Sequence, residues 1–160
     1  MIRRQPRLPR RPATTIVEFT FIAIITFTVL FGIFEYARFV FLLQVTDAAA
    51  REGARFAAAH TGDGTTTQNV IDQVNSYMSS RSSELANYNV TVTCVDPTTG
   101  NQVAIPNTSP TQYVAWNNAA FGQVIAVTIT GNYSPILPGL LLTTSPLPIS
   151  RTVIMNSEAN

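Results

Sequence analysis

A long apolar stretch near the start of the chain limits the folds available to it more than any other feature. Residues 14–43 are overwhelmingly apolar, and their only formal charges are Glu18, Glu35 and Arg38. The uncharged segment Phe19–Phe34 would rise about 24 Å as an α-helix, and the apolar residues beside it extend this length to about the thickness of a bilayer's hydrocarbon core. The sequence therefore predicts a transmembrane helix.

Charge on either side of the predicted span, about residues 14–36, sets its orientation. Five arginines and no acid precede it in residues 1–13, whereas the flank after it is mixed in sign. The positive-inside bias predicts a cytoplasmic N-terminus and an extracytoplasmic domain at residues 61–160. A cleaved secretory signal also pairs a basic start with an apolar core, but this apolar run is longer, and a helical pattern follows it instead of a small-residue cleavage site.

The helix is predicted to continue beyond the membrane. Residues 44–59 contain no proline, and seven of them are alanine, the strongest helix former. We expect one helix from Pro12, a favourable first-turn residue, to His60, which would cap the C-terminal end. Gly62 and Gly64 supply the stop signal.

Charged and small residues on the extracytoplasmic part of this helix suggest two kinds of contact. Asp47 and Arg51 are four residues apart and Glu52 and Arg55 three apart, so each pair can form an ion pair along the helix surface. Gly53 costs about 1 kcal/mol relative to alanine in mid-helix, which favours close packing at that position. The small residues could dock on the chain's own sheet or on partner helices, and we expect both.

Residues 10–19, Arg-Arg-Pro-Ala-Thr-Thr-Ile-Val-Glu-Phe, resemble the prepilin-peptidase recognition site of type IV pilin-like proteins. The resemblance implies cleavage between Ala13 and Thr14 and makes Glu18, followed by Phe19, the fifth residue of the mature chain. In such proteins this glutamate is thought to attract the N-terminal ammonium of a neighbouring subunit. Ala13 stands where the family usually has glycine, so an uncut chain is retained as an alternative.

A second segment, Asp47–Ala58, resembles the Ala-Arg-Glu-Gly-Ala-Arg segment typical of TadE-like proteins, and residues 34–38 resemble the membrane-exit segment of that family. The TadE-like family takes part in assembly of tight-adherence (Flp) pili. The resemblance implies a minor pilin, or pseudopilin, of a bacterial inner membrane. Its implied partners are a prepilin peptidase, other pilins of the same system, an inner-membrane assembly platform and the lipid bilayer. An unprocessed scaffold or adaptor of a pilus or secretion system is the alternative.

The sequence pattern of residues 61–160 predicts an α+β domain with a second helix and an antiparallel sheet. We expect its fold to be pilin-like. Helical spacing predicts the second helix over about residues 66–87. Alternation predicts strands at 90–95, 102–105, 123–133 and 149–155, the first two forming a hairpin around a turn at 96–101. The last part of the chain resembles TadE-like proteins only loosely.

The segment 133–148 contains four prolines around several leucines and isoleucines, which precludes a regular helix. Two interpretations are open. The segment could cover one edge of the sheet, which we favour, or it could present an exposed apolar patch to a partner.

Other function classes have little support. Cys94 is the only cysteine and lies in an alternating segment, so it is interpreted as a small buried hydrophobe rather than a reactive thiol. No triad, paired-carboxylate cleft, metal-ligand spacing or phosphate loop can be built, so we expect no cofactor, no metal and no enzymatic activity. The chain beyond residue 11 is mildly acidic, which predicts no nucleic-acid binding. Three Asn-x-Ser/Thr matches suit a glycosylated membrane protein but leave the pilin-like N-terminus unexplained.

Overall fold

A computed structural model describes residues 12–104, 112–137 and 146–158. The described chain forms two α-helices and a three-stranded antiparallel sheet, which confirms the predicted α+β class. The elements in chain order are α1 (Pro12–Ala59), α2 (Thr67–Met78), β1 (Leu85–Val95), β2 (Val124–Tyr133) and β3 (Leu147–Asn156). Two short 3₁₀ turns, Arg81–Glu84 and Trp116–Asn118, lie between them.

Helix α1 is continuous over 48 residues, or about 70 Å, and ends one residue before the predicted end. Its first residue is Pro12, and no other proline interrupts it. The chain leaves the helix at Gly62, whose φ of 83° is accessible to glycine with little strain. The backbone N–H of Gly62 donates to the carbonyl of Asn117, which ties the end of the helix to the second 3₁₀ turn.

Helix α2 is shorter than predicted, and the prediction of a helix through residue 87 was wrong. Val70, Val74 and Met78 are its buried residues, one on each successive turn. Ser79 and Ser80 then adopt left-handed conformations with φ of 44° and 64°. The Ser79 hydroxyl donates to the carbonyl of Ser76, so short polar side chains compete for the backbone groups of the last turn.

The sheet has the order β1-β2-β3, so β2 is the central strand, as predicted. Val127 on β2 is paired with Val92 on β1 and with Val153 on β3. Strand β1 begins at Leu85, earlier than predicted, because a bulge between Ala86 and Asn89 lets pairing continue beyond the alternating segment.

The predicted hairpin at residues 90–105 is present only as a turn. The Asp96 carboxylate accepts hydrogen bonds from the backbone N–H groups of Thr98 and Thr99, and Gly100 completes the turn. After the turn, the chain pairs with the end of β1 through one bridge, Val95 with Gln102, and the Val103 N–H donates to the Cys94 carbonyl, but no regular return strand forms within the described chain. The predicted return strand is shorter than expected because the chain leaves β1 after Gln102 and Val103, and Ala104 bridges to Tyr113 instead; Ile105 lies outside the described residues.

The proline-rich segment is described only in part, because residues 138–145 lie outside the described chain. Residues 134–137 lie beside α1, where the Ile136 N–H donates to Glu35, rather than over a sheet edge. Pro148 lies within β3, an edge strand, where a missing donor is tolerated. The predicted cover over the sheet edge therefore stays a prediction for the remaining residues.

The core lies between the sheet and the two helices. Helix α1 contacts β2, β3 and α2, and α2 also contacts β1. Only the second half of α1 contributes to this core, and its first half extends away from the domain with exposed side chains. The largest fully buried apolar side chains of the core are Leu42, Val70, Val74, Met78, Ile125, Val127, Ile129 and Tyr133.

Candidate functional site

The predicted recognition residues lie on the exposed first turns of α1. Thr14 and Glu18 are exposed, and the Phe19 ring is 70% exposed. Glu18 makes no hydrogen bond or ion pair with the part of the chain that the structure describes. Ala13 is the second residue of α1, and its side chain lies outside the described ones. The structure thus places these residues on one accessible helix, without local partners for the carboxylate.

The exposed section of α1 is apolar on all sides. This helix is long and apolar enough to cross a membrane, and its most apolar window has no buried residue. Ile16, Phe21, Ile24 and Phe27 are each more than half exposed. Its threonines do not break the apolar character, because the hydroxyls at positions 20, 26 and 28 donate to carbonyls one turn earlier. This section is compatible with a single-pass membrane anchor.

Glu35 differs from the residues before it on α1, because it is a carboxylate and is only 6% exposed. The Tyr133 hydroxyl donates to Glu35 Oε1 at 2.5 Å, and the Ile136 N–H donates to the same atom at 3.2 Å. The Arg38 guanidinium lies 3.9 Å from it, one turn along α1. A buried carboxylate is tolerated when donors and a cation surround it. Here β2 and the segment after it supply the donors, and α1 itself supplies the cation.

Arg38 joins this site to the first 3₁₀ turn. Its Nε and Nη2 donate to Glu84 Oε2 at 3.1 and 3.0 Å, and Arg81 donates to the other carboxylate oxygen at 2.7 Å. The Arg38 guanidinium also lies 5.4 Å from the centre of the Tyr133 ring. We call the set Glu35, Arg38, Arg81, Glu84 and Tyr133 the exit clamp. It fastens α1 to the domain where the exposed apolar section ends.

The surroundings of the exit clamp shift the pKa values of Tyr133 and Glu84. Burial, with a smaller contribution from the hydrogen bond to Glu35, raises the pKa of Tyr133 to about 12. The hydrogen bond from Arg81, with a further one from Arg38, lowers the pKa of the Glu84 carboxyl although its partial burial opposes this shift. Near neutral pH the clamp therefore consists of a neutral phenol donor and ionised Glu84 between two guanidinium groups.

The small residues of α1 pack within the chain. A β-carbon placed on Gly53 would overlap Val74 Cγ2 of α2 and would lie 3.5 Å from Val127 Cγ1 of β2. Gly53 therefore lies at a close contact of α1 with both α2 and the central strand. The buried alanines of the same face are Ala49, Ala50, Ala54, Ala57 and Ala58. Docking on the chain's own domain accounts for this face, and Ala48 and Ala59 remain exposed.

Residues 13–55 match the family described as TadE-like protein. The resemblance predicted from the sequence is confirmed over this TadE-like segment. The segment contains Glu18, Glu35, Arg38 and Gly53, so it covers the exposed helix and the α1 half of the exit clamp. The match suggests an association with the Tad pilus. The looser resemblance of the sheet lies outside the matched residues. Comparisons with curated proteins and with solved structures found no match.

The charged residues that end the TadE-like segment form the two predicted pairs. Arg51 Nε donates to Asp47 Oδ2 at 2.9 Å, and Arg55 Nε donates to Glu52 Oε2 at 3.0 Å. The bond from Arg55 lowers the pKa of the Glu52 carboxyl. Both arginine side chains are about 70% exposed, so each pair contributes little to stability. Just beyond the segment, His60 Nδ1 lies 2.8 Å from the carbonyl of Phe56, the capping position predicted for it.

Sequence reasoning missed the domain half of the exit clamp. It identified Glu35 and Arg38 as charges in the apolar stretch but assigned no role to Arg81, Glu84 or Tyr133. One signal could have pointed to them: a carboxylate within an apolar helix requires a donor from elsewhere. The TadE-like segment alone does not contain that donor.

Cys94 is buried, as predicted, and burial raises the pKa of its thiol. Among residues 12–104, 112–137 and 146–158, no three His, Cys, Asp or Glu side chains are grouped closely enough to hold a metal ion.

Proposed function

We propose that this chain is a minor pilin, or pseudopilin, of a tight-adherence (Flp) type IV pilus. In this proposal it is a single-pass protein of a bacterial inner membrane, with a cytoplasmic N-terminus and an extracytoplasmic domain. Its role is structural rather than enzymatic. It works through helix packing with other pilins and with the assembly platform of the same membrane, and it binds no cofactor.

One observation supports this proposal above the others. Glu18 has no partner in the described chain, and it lies on an exposed apolar helix within a TadE-like segment. A lone carboxylate near the start of a membrane helix costs a few kcal/mol unless something compensates it. The N-terminal ammonium released by cleavage before Thr14 would provide that compensation on a neighbouring subunit, because opposite charges attract strongly where water is excluded.

Processing is tested by the intact mass of the protein extracted from membranes after coexpression with a cognate prepilin peptidase. We expect a loss equal to residues 1–13, and we expect Ala13→Arg to abolish it. If the natural chain stays uncut while a known prepilin is cut in the same cells, the unprocessed scaffold or adaptor becomes the better description. Ala13, in place of the usual glycine, is the feature that keeps this second candidate open.

Assembly is tested separately with Glu18→Gln, which removes the charge and keeps the size of the side chain. We expect this variant to be cleaved but to lose crosslinking to other pilins of the system, whereas Glu158→Gln, an exposed change on the domain, should leave crosslinking intact. Equal crosslinking of both variants would show that the carboxylate of Glu18 has no part in subunit contact.

A further inference from the structure

A second apolar surface lies beside α1 where the helix meets the domain. Ile136 and Leu137, in the segment after β2, are 69% and 42% exposed. They line one cleft with Phe31 and Phe34 of α1, which are 48% and 64% exposed. We call these four residues the exit surface. It is continuous with the exposed apolar section of α1 and is formed by two parts of the chain.

The segment after β2 is held at a defined level of the helix. The Ile136 N–H donates to Glu35 Oε1, and Tyr133, three residues earlier, donates to the same atom. Ile136 and Leu137 therefore cannot move along α1 without breaking the buried contacts of Glu35. Shielding by these groups leaves the Glu35 side chain 6% exposed, so little of its polar surface contacts the surroundings of the helix.

The shielding of Glu35 extends the apolar length of α1 toward the thickness of a bilayer's hydrocarbon core. The uncharged segment Phe19–Phe34 rises about 24 Å, short of the roughly 30 Å of a hydrocarbon core. With Glu35 shielded, the apolar length continues to Ala37 and reaches about 28 Å from Phe19. The next charged group, Arg38, has a side chain 34% exposed and paired with Glu84. The end of the apolar length thus coincides with the level of Ile136.

The groups around the exit surface are those expected at a membrane interface. Tyr36 and Phe41 are 61% and 48% exposed on α1. Arg81, whose guanidinium lies 5.4 Å from the centre of the Phe41 ring, is half exposed. Aromatic rings and arginines with apolar stems are favoured at the headgroup level.

We infer that the exit surface lies in the outer leaflet of the bilayer, so that Ile136 and Leu137 form a second membrane contact beside α1. The partner is lipid acyl chain, and the depth is that of an interfacial apolar contact, about 5–10 Å into the boundary between headgroups and chains. This inference rests on the proposed membrane anchor. It adds to that proposal that the domain contacts the bilayer surface at a fixed depth.

The test places an environment-sensitive fluorophore on a single introduced cysteine and measures quenching by brominated acyl chains in phosphatidylcholine proteoliposomes of the full chain. The probe positions are Ile136→Cys and, as an independent second site, Leu137→Cys. Ile154→Cys is the matched control, since Ile154 is 57% exposed on β3, and Ile24→Cys reports the helix itself. The natural Cys94 is 1% exposed, and the unsubstituted protein measures its background labelling.

We expect lipid quenching at positions 136 and 137 about twofold or more above that at 154, and close to that at 24. If 24 is quenched while 136 and 137 match 154, the inference is overturned and a partner protein becomes the candidate occupant of the exit surface. If 24 is not quenched either, the membrane anchor fails, and the proposed function and this inference fail together. The control at 24 thus separates the two failures.

Discussion

At the scale of single residues, the chain shows how a carboxylate is accommodated on an apolar helix. From the sequence alone, Glu18 and Glu35 look alike, because both are charged residues in a stretch that is otherwise apolar. The structure separates them. Glu35 is buried and receives hydrogen bonds from Tyr133 and Ile136, whereas Glu18 is exposed and has no partner within the described chain. We therefore assign Glu35 to the architecture of the protein, and the contact of Glu18 with other subunits stays the proposal made above.

Tyr133→Phe tests the internal role of Glu35. Loss of the phenol donor leaves a buried carboxylate with fewer partners, so we expect the free energy of unfolding to fall by about 1–3 kcal/mol. The measurement is urea unfolding of the full chain in detergent micelles at neutral pH. Tyr113→Phe is the control, because Tyr113 is 48% exposed. Equal stability of the two variants would mean that the hydrogen bond to Glu35 contributes nothing.

The same variant has a signature at alkaline pH. The raised pKa of Tyr133 means that folding favours the neutral phenol. This contribution is complete below the ordinary tyrosine pKa of about 10 and is lost as the pH rises through about 12. Tyrosinate absorbance should accordingly show a late phase whose amplitude falls by one tyrosine in Tyr133→Phe and is retained in Tyr113→Phe.

At the scale of elements, α1 is one continuous helix whose two halves have different surroundings. Its first half is exposed and apolar, and its second half is thin and packs against α2 and the sheet through glycine and alanine. The close approach at Gly53 brings Val74 of α2 and Val127 of β2 to the helix backbone. Here the requirement for a small residue comes from the chain's own domain and does not depend on a partner.

Gly53→Ala tests this packing. Alanine gains about 1 kcal/mol in helix propensity, but its β-carbon overlaps Val74, and overpacking of this kind costs about 1–3 kcal/mol, so we expect net destabilisation. Gly32→Ala is the matched control on the same helix, because no atom lies within 4 Å of a β-carbon there. Urea unfolding measures both variants.

A second substitution separates packing from other effects at Gly53. Val74→Ala removes the overlapping methyl groups, so the double variant Gly53→Ala with Val74→Ala should be more stable than the sum of the two single changes predicts. Strict additivity of the two changes would show that Val74 does not restrict residue 53.

The elements that the sequence predicted well are those fixed by local signals. The apolar run, the alanines and the glycines after His60 define both ends of α1 to within a residue. The alternation from Gln123 to Tyr133 predicts the central strand. The end of α2 and the length of the return strand after β1 were predicted wrongly, because they depend on left-handed serines and on the bridge from Ala104 to Tyr113. The exit clamp was missed for the same reason, since Arg38 and Glu84 are 46 residues apart.

At the scale of the whole molecule, the exit clamp connects the exposed apolar section of α1 to the α+β domain. Glu84 is its central group, because it accepts hydrogen bonds from Arg38 of α1 and from Arg81 of the domain. The pKa of this carboxyl is lowered in the folded protein, so folding favours its ionised form. Its contribution to stability is complete above its ordinary pKa of about 4.5 and is lost as the pH falls through the lower folded value.

Glu84→Gln should therefore flatten the acid dependence of stability. We expect the variant to be less stable than the natural chain by about 1–2 kcal/mol at neutral pH, with a difference that shrinks as the pH falls below about 4.5. Urea unfolding at a series of pH values provides the measurement, with Glu158→Gln as the exposed control. A constant difference at every pH would assign the loss to packing and not to charge.

The two attachments of α1 to the domain also determine how the protein responds to force. The exit clamp holds the helix near Glu35 and Arg38, and the small-residue contacts hold it near Ala58, about 30 Å further along the axis. A pull along the axis of α1 loads both attachments in parallel and in shear. The contacts must then break together instead of one after another. Tension between the exposed apolar section of α1 and the domain would then be carried by the whole length of the contact.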